Sequence, residues 1–389
     1  MHVLYSFPHT LGKPGISTTA LHQIIGLIEQ GDDVDVVCTS LRAEFPGARS
    51  VTETMTLAGF RVPHRVFGIQ RSYAYHDRRA ARILSRIASE VDVVHTWPAG
   101  CLETLAAARR LGVPGFREAP SPHTATAYED AAREAASVGV DLPAGHHHRY
   151  DPDHLARELR EFEAADFLLV PSAYVERTFA ERGYPPARLI RQQYGYDPAS
   201  FGPIDHASAD GKGLTVVFVG RGEPNKGLHY ALRAWLESGA AERGRLLVCG
   251  DILPSYRAKL ANLLDHPSVH ELGFAPDVGA VMREADVLLL PSVTEGSALV
   301  TYEAQATGCA LLVSDAAGAE CEDGRQGLVH VAGDVATLTR HIRLLDEDRN
   351  FLRKLQAGAL ANSARLTWAA AGKRLHEAYA EGLGRFRCA

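Results

Sequence analysis

Ala285-Asp-Val-Leu-Leu-Leu-Pro-Ser292 is a short apolar run that ends in Pro-Ser, a pattern typical of a buried parallel strand at its carboxyl end. Nearly the same pattern occurs earlier in the chain, as Ala165-Asp-Phe-Leu-Leu-Val-Pro-Ser172. Because the two runs are so similar, we expect two similar α/β halves, each with a Rossmann-like parallel sheet. Ligands of such sheets bind at the edge where the strands have their carboxyl ends.

Two carboxylates follow the strand near residue 290, with Glu295 in a predicted loop and Glu303 in the helix after it. Ser297 or a near neighbour can start this helix, and Gly308 can end it. Backbone N–H groups near residues 297 to 299 should then be free to bind an anion, most often phosphate. Glu303 lies in an otherwise apolar helix, where an ionised carboxylate needs a partner. A sugar diol and a structural arginine both remain open as that partner.

A second segment favours the sugar. The pattern predicts a buried strand over Leu214 to Gly220, a turn that contains Arg221 and Lys226, and a helix over Gly227 to Glu237. Lys226 falls at the helix start, where the helix dipole disfavours a cation unless an anion is bound there. Arginine offers a planar fork to phosphate oxygens and lysine a point charge, so the two together suit a diphosphate. The alternative is a solvated pair of cations on an exposed turn.

The arrangement resembles the retaining GT-B glycosyltransferases of the family called GT4, or glycosyl transferases group 1. The strand-Gly-Arg-turn-Lys-Gly segment is similar to that family's diphosphate clamp, and Glu295 with Glu303 is similar to its Glu-x7-Glu signature. Gly273-Phe274 resembles the point where the family's backbone meets the nucleobase, and Tyr194 to Phe201 looks like its interdomain segment. The resemblance is close in the C-terminal half and loose in the N-terminal half. It implies two Rossmann-like domains that face each other across a cleft, where the active site is expected.

The predicted domains follow from these halves. Residues 1–200 form a Rossmann-like acceptor-binding domain, residues 201–367 form a Rossmann-like nucleotide-sugar-binding domain, and residues 368–389 form a C-terminal helix that crosses back to the first. Asp197 to Gly213, rich in Pro, Gly, Ser and Asp, is the linker candidate. The predicted strands lie near His2–Phe7, Asp33–Cys38, Val91–His95, Val113–Arg117, Phe167–Val170, Leu214–Val219, Arg245–Cys249, Val269–Leu272, Val287–Leu290, Ala310–Ser314 and Leu328–Val331.

Composition limits the partners and the location. The net charge is −6 and there is no polybasic tail, so the sequence does not indicate nucleic-acid binding. The six cysteines form no Cys-x-x-Cys pair and read as reduced thiols of a cytoplasmic protein. The first residues enter a strand directly, and no apolar run approaches the ~20 residues that span a bilayer. We therefore expect membrane contact to be peripheral at most, while the oligomeric state is left open.

Two candidates lie in the N-terminal half. Gly15 belongs to a loop between the first strand and a helix, which has neither a Gly-x-Gly-x-x-Gly spacing nor a Walker pattern. The resemblance places it near the donor phosphates and the acceptor, and an ordinary turn is the alternative. His95 ends a strand and should point into the crevice. The resemblance implies contact with the donor sugar, but Trp97 replaces the second histidine of the family's His-x-His, which puts the sugar or acceptor preference in doubt.

An insert from Glu118 to Arg160 contains three consecutive histidines, His146 to His148. Three histidines suggest a zinc site, but consecutive side chains do not converge as ligands on a helix or in paired loops do. We therefore predict an exposed loop that binds the acceptor, and no metal site. The acceptor-side candidates are Arg117, Glu118 and His123.

The sequence thus predicts a retaining glycosyltransferase that moves a sugar from a nucleoside-diphosphate sugar to a small-molecule, glycan or lipid-linked acceptor, without a metal or other cofactor. The catalytic candidates are Glu295, His95, Arg221 and Lys226. The donor-binding candidates are Gly15, Arg221, Lys226, Phe274, Glu295, Gly296, Ser297, Ala298, Leu299 and Glu303. The alternatives are a nucleotide-sugar epimerase or hydrolase of the same architecture and a catalytically silent nucleotide-sugar-binding subunit.

Overall fold

A computed structural model describes residues 1–43, 45–57, 60–61, 68–203 and 213–388. Most of the predicted linker, residues 204–212, and the last predicted helix residue, 389, lie outside the described residues. The chain divides into two compact units. Unit 1 comprises Met1–Pro120, Asp151–Gly195 and Trp368–Ala389, and unit 2 comprises Ser121–Tyr150 and Tyr196–Thr367.

Strands and helices alternate along most of the chain. The strands are β1 (His2–Leu11), β2 (Asp33–Leu41), β3 (Ser50–Glu53), β4 (Thr56–Leu57), β5 (Phe60–Arg61), β6 (Val93–Thr96), β7 (Gly115–Glu118), β8 (Phe167–Val170), β9 (Leu189–Arg191), β10 (Thr215–Val219), β11 (Arg245–Cys249), β12 (Val269–Gly273), β13 (Val287–Leu290), β14 (Ala310–Ser314) and β15 (Gly327–His330). The α-helices are α1 (Ile16–Glu29), α2 (Ile69–Ile87), α3 (Leu102–Leu111), α4 (Thr124–Ser137), α5 (Pro152–Ala164), α6 (Ala173–Glu181), α7 (Leu228–Glu237), α8 (Pro254–Leu264), α9 (Val278–Arg283), α10 (Leu299–Thr307), α11 (Val335–Glu347), α12 (Arg349–Ser363) and α13 (Trp368–Cys388).

Unit 1 contains a seven-stranded sheet in the order β3-β2-β1-β6-β7-β8-β9, and all its pairings are parallel. The five strands predicted for this half are all present. The edge strands β3 and β9 were not predicted, because β3 has a single apolar residue and β9 has only three residues. The order reverses between β1 and β6, the kind of point at which open α/β sheets bind ligands.

Unit 2 contains a six-stranded parallel sheet in the order β12-β11-β10-β13-β14-β15. Its central strands β10, β13 and β14 are short apolar runs with little exposed surface, as expected for a parallel sheet covered by helices on both faces. The order reverses between β10 and β13, so the loops that follow these two strands flank the switch point. Both loops carry predicted donor-binding residues. The α/β prediction is confirmed for each unit.

The C-terminal helix α13 belongs to unit 1, which confirms that the chain returns to its N-terminal half. Leu375 and Tyr379 of this helix are fully buried in the same apolar core as Ile24 and Leu27 of α1. No described helix combines the length and apolar character needed to cross a bilayer.

Residues 121–150 are the main departure from the predicted boundaries. The prediction placed them in the N-terminal domain, whereas the structure groups them with unit 2. Two contacts account for this. Tyr230 OH on α7 donates a hydrogen bond to Glu134 on α4 at 2.7 Å, and Val140 lies in the apolar core of unit 2. These contacts join residues far apart in the chain, so the sequence pattern could not show them.

Helices α1 and α13 pack closely against each other at two glycines, Gly26 and Gly372. A Cβ atom added to Gly372 would lie 2.5 Å from the Cα atom of Gly26, which is closer than non-bonded carbons approach. Gly372→Leu should therefore push the helices apart and lower the free energy of unfolding by about 1–3 kcal/mol. Gly384→Ala in the same helix is the matched control, because nothing lies within 4 Å of its added Cβ. The urea midpoint should fall for the first variant and not for the second; equal midpoints would refute the close packing.

Candidate active site

The predicted diphosphate clamp is a tight turn after β10, held against the loop that follows β13. Asn225 O accepts a hydrogen bond from Val293 N at 2.9 Å. Gly227 adopts a φ of 70°, and a Cβ at this position would lie 2.2 Å from the carbonyl oxygen of Pro291. Only glycine tolerates both the backbone conformation and this approach. The two loops at the switch point are therefore fixed relative to each other.

Lys226 and Glu295 meet across these two loops in an ion pair between Nζ and Oε2. Their side chains are 22% and 18% exposed, so both remain accessible from solvent. Burial is the main cause that lowers the pKa of Lys226 from its usual 10.5 to about 8, and Glu223 opposes the shift. The structure thus brings together residues of two separately predicted motifs.

Arg221 lies at the other end of the clamp turn. Its side chain is 66% exposed, and Nη2 is 2.8 Å from Oε1 of Glu223. Glu223 itself is only 3% exposed. The buried carboxylate of Glu223 holds the exposed guanidinium of Arg221 in place through one nitrogen. The rest of the guanidinium is well placed to bind an anion from solvent.

Helix α10 begins close to Glu295, and its first turn has no side-chain cap. Ala298 occupies the N-cap position, and it has no side-chain oxygen to accept a hydrogen bond. Ser297 does not take over this role, since its hydroxyl lies 2.9 Å from Tyr302 OH. The helix ends at Gly308 with a φ of 87°, as predicted. Uncapped N–H groups of Leu299 and its neighbours are the usual partners of a phosphate.

Glu303 is half-buried in the second turn of α10, and burial raises its pKa from 4.5 to about 7. Within the described parts of the chain, it has no hydrogen-bond or ion-pair partner. The structural arginine left open by the sequence is therefore not found there. A carboxyl group in this setting is suited to accept hydrogen bonds from ligand hydroxyls.

Phe274 directly follows β12 at the same sheet edge as the clamp, and its side chain is 75% exposed. The preceding Gly273 has a φ of 62°, and its carbonyl oxygen accepts a hydrogen bond from Gly250 N at 2.7 Å. Gly296 lies in the loop beside Glu295. These residues occupy the predicted edge, and their contacts with a donor remain predictions.

In unit 1, Gly15 lies at the start of α1 with φ 90° and ψ −143°, a conformation that essentially only glycine adopts. An added Cβ would meet nothing within 4 Å, so there is open space beside its backbone. This geometry is compatible with the close approach of a ligand, which remains a prediction.

His95 does not point into open space as expected. The residue is fully buried, its Nδ1 lies 2.6 Å from Tyr379 OH of α13, and its ring stacks on Tyr5. Burial lowers the pKa of His95 to about 3, so the imidazole is neutral. The expected exposure is wrong because α13, 284 residues further along the chain, covers the end of β6. A role in sugar contact has no exposed surface to support it.

The three acceptor candidates are also buried in structural contacts. Arg117 is fully buried and pairs with Glu161 at 2.7 Å. Glu118 accepts a hydrogen bond from Tyr194 OH at 2.7 Å, and burial raises its pKa to about 8. His123 is 3% exposed and belongs to unit 2, whereas the other two belong to unit 1. Acceptor binding by these residues remains a prediction.

The residue that the sequence did not single out is Glu223. It lies between Arg221 and the loop of residues 141–149, which we call the histidine loop, with Oε1 3.3 Å from His146 Nε2. Its position in the clamp turn was visible in the sequence, but nothing local indicated that its side chain is buried. The histidine loop, predicted on the acceptor side, lies against the clamp instead.

Two family models match the chain. The model for glycosyl transferases group 1 matches residues 213–348, and the model for glycosyltransferase family 4 matches residues 14–199. The first contains both the clamp turn and the Glu295–Glu303 segment. The second contains Gly15, His95 and the insert.

Curated relatives and solved structures agree with these models. The chain is 29% identical over 261 residues to a D-inositol 3-phosphate glycosyltransferase of Nocardia farcinica, covering 60% of this chain and 57% of that protein. It is 27% identical to a putative colanic acid biosynthesis glycosyltransferase, WcaL, of Salmonella typhimurium, covering 69% of this chain and 66% of that protein. The matches thus span less than two thirds of either relative.

Two solved structures are similar over almost the whole chain. Sucrose-phosphate synthase from Thermosynechococcus elongatus gives a TM-score of 0.70 at 18% identity, covering 98% of both chains. HepE of Anabaena, solved in complex with UDP and glucose, gives 0.63 at 16% identity, covering 97% of this chain and 98% of that one. These likenesses show the GT-B fold class. Since the two family models between them match most of both units, the chain belongs to the family 4 (group 1) glycosyltransferases of the GT-B fold.

Proposed function

We propose that the protein is a retaining glycosyltransferase that moves a sugar from a nucleoside-diphosphate sugar to a small-molecule, glycan or lipid-linked acceptor. The observation that carries this proposal is the meeting of Lys226 and Glu295 at the switch point of unit 2. It joins cations suited to a diphosphate with a carboxylate suited to a sugar. The relatives named as glycosyltransferases and the UDP-bound structure of HepE support the same conclusion.

The clamp would stabilise the leaving group. As the glycosidic bond breaks, negative charge grows on the diphosphate, and Arg221 and Lys226 would neutralise it. The uncapped N–H groups at the start of α10 would add hydrogen bonds to the same oxygens. When the diphosphate binds, the ammonium group of Lys226 would contact the phosphate in place of part of its contact with Glu295. The carboxylate of Glu295 would then be free to face the sugar.

The two glutamates would divide the rest of the donor between them. Glu303 would accept hydrogen bonds from the ribose hydroxyls, and Glu295 would face the sugar and its developing oxocarbenium charge. In the retaining reaction that we propose, the acceptor attacks the face that the diphosphate leaves, and its proton passes to the departing phosphate. The sugar–phosphate bond breaks and a bond from the sugar to the acceptor forms, with no covalent sugar–enzyme intermediate.

Unit 1 would supply the acceptor side, with Gly15 as the residue whose surroundings are open. A cytoplasmic location remains our proposal, and it is supported by cysteines that are all free. The sequence indicates no nucleic-acid partner, and we propose membrane contact that is peripheral at most.

The proposal is tested first by a thermal-shift screen against UDP, GDP, dTDP and ADP sugars. A donor present at about 100 times its dissociation constant should add about 2.7 kcal/mol of stability. The donor that binds is then incubated with candidate acceptors, and products are identified by mass spectrometry and by the NMR coupling of the anomeric proton. Transfer with retained configuration supports the proposal. Isomerised or hydrolysed donor without acceptor would indicate an epimerase or hydrolase, and a bound but unchanged donor would indicate a silent binding subunit.

Transfer should not require a metal ion. Arg221, Lys226 and the start of α10 already supply the positive charge that a divalent ion supplies in metal-dependent transferases. Activity should therefore persist in excess EDTA, measured as initial rate before and after chelation. Complete loss on chelation, restored by one specific metal, would contradict the metal-free clamp.

A further inference from the structure

The histidine loop of residues 141–149 lies against the clamp turn. His148 Nε2 is 3.3 Å from Asn225 Nδ2, and His146 Nε2 is 3.3 Å from Glu223 Oε1. Both contacts lie within unit 2, because the insert packs there through α4. The loop is therefore held beside a buried carboxylate, rather than projecting freely from the surface.

Three potential metal ligands converge at this contact. One ligand atom from each of His147, His148 and Glu223 lies within 4.8 Å of the others, and among the residues that the structure describes no other such group of three is found. Ligand atoms of a tetrahedral zinc site lie about 3.3 Å apart, since zinc–nitrogen bonds are about 2.0–2.1 Å long. Small rotations of the side chains would close the remaining gap.

Two consecutive histidines can contribute to a metal site here because the third ligand, Glu223, comes from another segment of the chain. His147 is exposed, His148 is half-buried and Glu223 is buried. An ion can therefore reach the site from solvent on the side of His147 and bind Glu223 on the protein side. The ring of His146 stacks on that of His147 with centroids 4.6 Å apart, and this packing restricts the exposed imidazole of His147.

The charges around the cluster permit a cation. Arg221 and Lys226 carry two positive charges, but Glu223 and Glu295 pair with them in the two ion pairs of the clamp. These four formal charges sum to zero. Two imidazoles and one carboxylate form a known zinc ligand set that leaves the fourth position to water or another ligand.

We propose that His147, His148 and Glu223 bind one divalent transition-metal ion, best matched by zinc, which fastens the histidine loop to the clamp turn. The ion is separate from the chemistry of transfer, which the clamp performs without metal. Its effect is to order residues 141–149 against residues 221–226. The three histidines alone do not provide a converging ligand set, and Glu223 from the clamp turn supplies the ligand that the sequence pattern could not show.

The test uses full-length protein purified with a tag that contains no histidine, treated with chelator and dialysed. Zinc chloride is titrated by calorimetry without any nucleotide, so a negative result is independent of the proposed transferase activity. We expect one tight site per chain, and weaker binding by at least about tenfold in His147→Ala, His148→Ala and Glu223→Gln, since even outer partners are worth that much. His270→Ala, an exposed histidine of β12, should bind zinc as the wild type does.

Two further measurements separate this site from scattered surface histidines. Cobalt chloride should produce the visible absorption of a low-coordinate cobalt ion with the wild type and not with His147→Ala. His147 is exposed, so its replacement leaves the apolar core unchanged. Zinc should also slow amide hydrogen exchange in residues 141–149 of the wild type and not of the variants. Equal zinc affinity in the wild type and all three variants, or unchanged exchange on zinc addition, would overturn the proposal.

Discussion

Replacing Arg221 or Lys226 with alanine should lower turnover by about 10²-fold or more, the scale on which losing one electrostatic donor to a developing charge slows an enzyme. Both cations are accessible and both lie at the sheet edge where the donor diphosphate is proposed to bind. Neither side chain packs in the apolar core, so the thermal stability of the variants should change little. The measurement is kcat with saturating donor and acceptor.

Arg233→Ala is the matched control for this experiment. Arg233 lies on α7, the helix that follows the clamp turn, and its side chain is 54% exposed in a surface pair with Glu237. Such exposed pairs contribute little to stability, and this one lies away from the proposed phosphate site. The control should keep near-normal turnover. Near-normal turnover in both clamp variants as well would refute the assignment of the clamp.

Unit 2 shows how much of the site could be predicted from the sequence. Buried parallel strands leave an unbroken apolar run, so β10 and β13 were visible, and with them the loops that carry Arg221, Lys226 and Glu295. The resemblance to GT4 placed these loops at one ligand site, and the ion pair of Lys226 with Glu295 agrees with this placement. The local pattern could locate these loops because they follow directly after strands whose order is regular.

Long-range packing explains what could not be predicted. His95 lies at the end of a strand, as the sequence indicated, but whether it faces a ligand depends on Tyr379, which lies 284 residues away. The insert with its histidines follows unit 1 strands in sequence, yet Glu134 and Tyr230 join it to unit 2. Glu223 is buried and lies 3.3 Å from His146 of the same insert. Residue type and spacing contain no information on which distant element will cover a side chain.

Glu295→Gln should lower kcat about as strongly as the clamp variants, while nucleoside diphosphate binds at least as tightly as in the wild type. The carboxylate is proposed to face the sugar, so its charge matters only when oxocarbenium character develops. Removing that charge also releases Lys226 from its ion pair, which leaves the lysine freer to bind phosphate. Calorimetry with the bare nucleotide and initial rates with the full donor separate the two effects. A large loss of nucleotide affinity in this variant would contradict the proposed role.

Glu303→Gln should give the opposite result, with weaker binding of the bare nucleotide, because an ionised carboxylate accepts hydrogen bonds from ribose hydroxyls more strongly than an amide does. Burial raises the pKa of Glu303 to about 7, so in the free protein this group is charged above that pH and neutral below it. Nucleotide affinity of the wild type should therefore fall as the pH is lowered from 8 to 6. In Glu303→Gln, the affinity should change over this range only through titration of the nucleotide itself, so the fall should be larger in the wild type. If calorimetry finds equal affinity and the same pH dependence in both proteins, Glu303 does not hold the ribose.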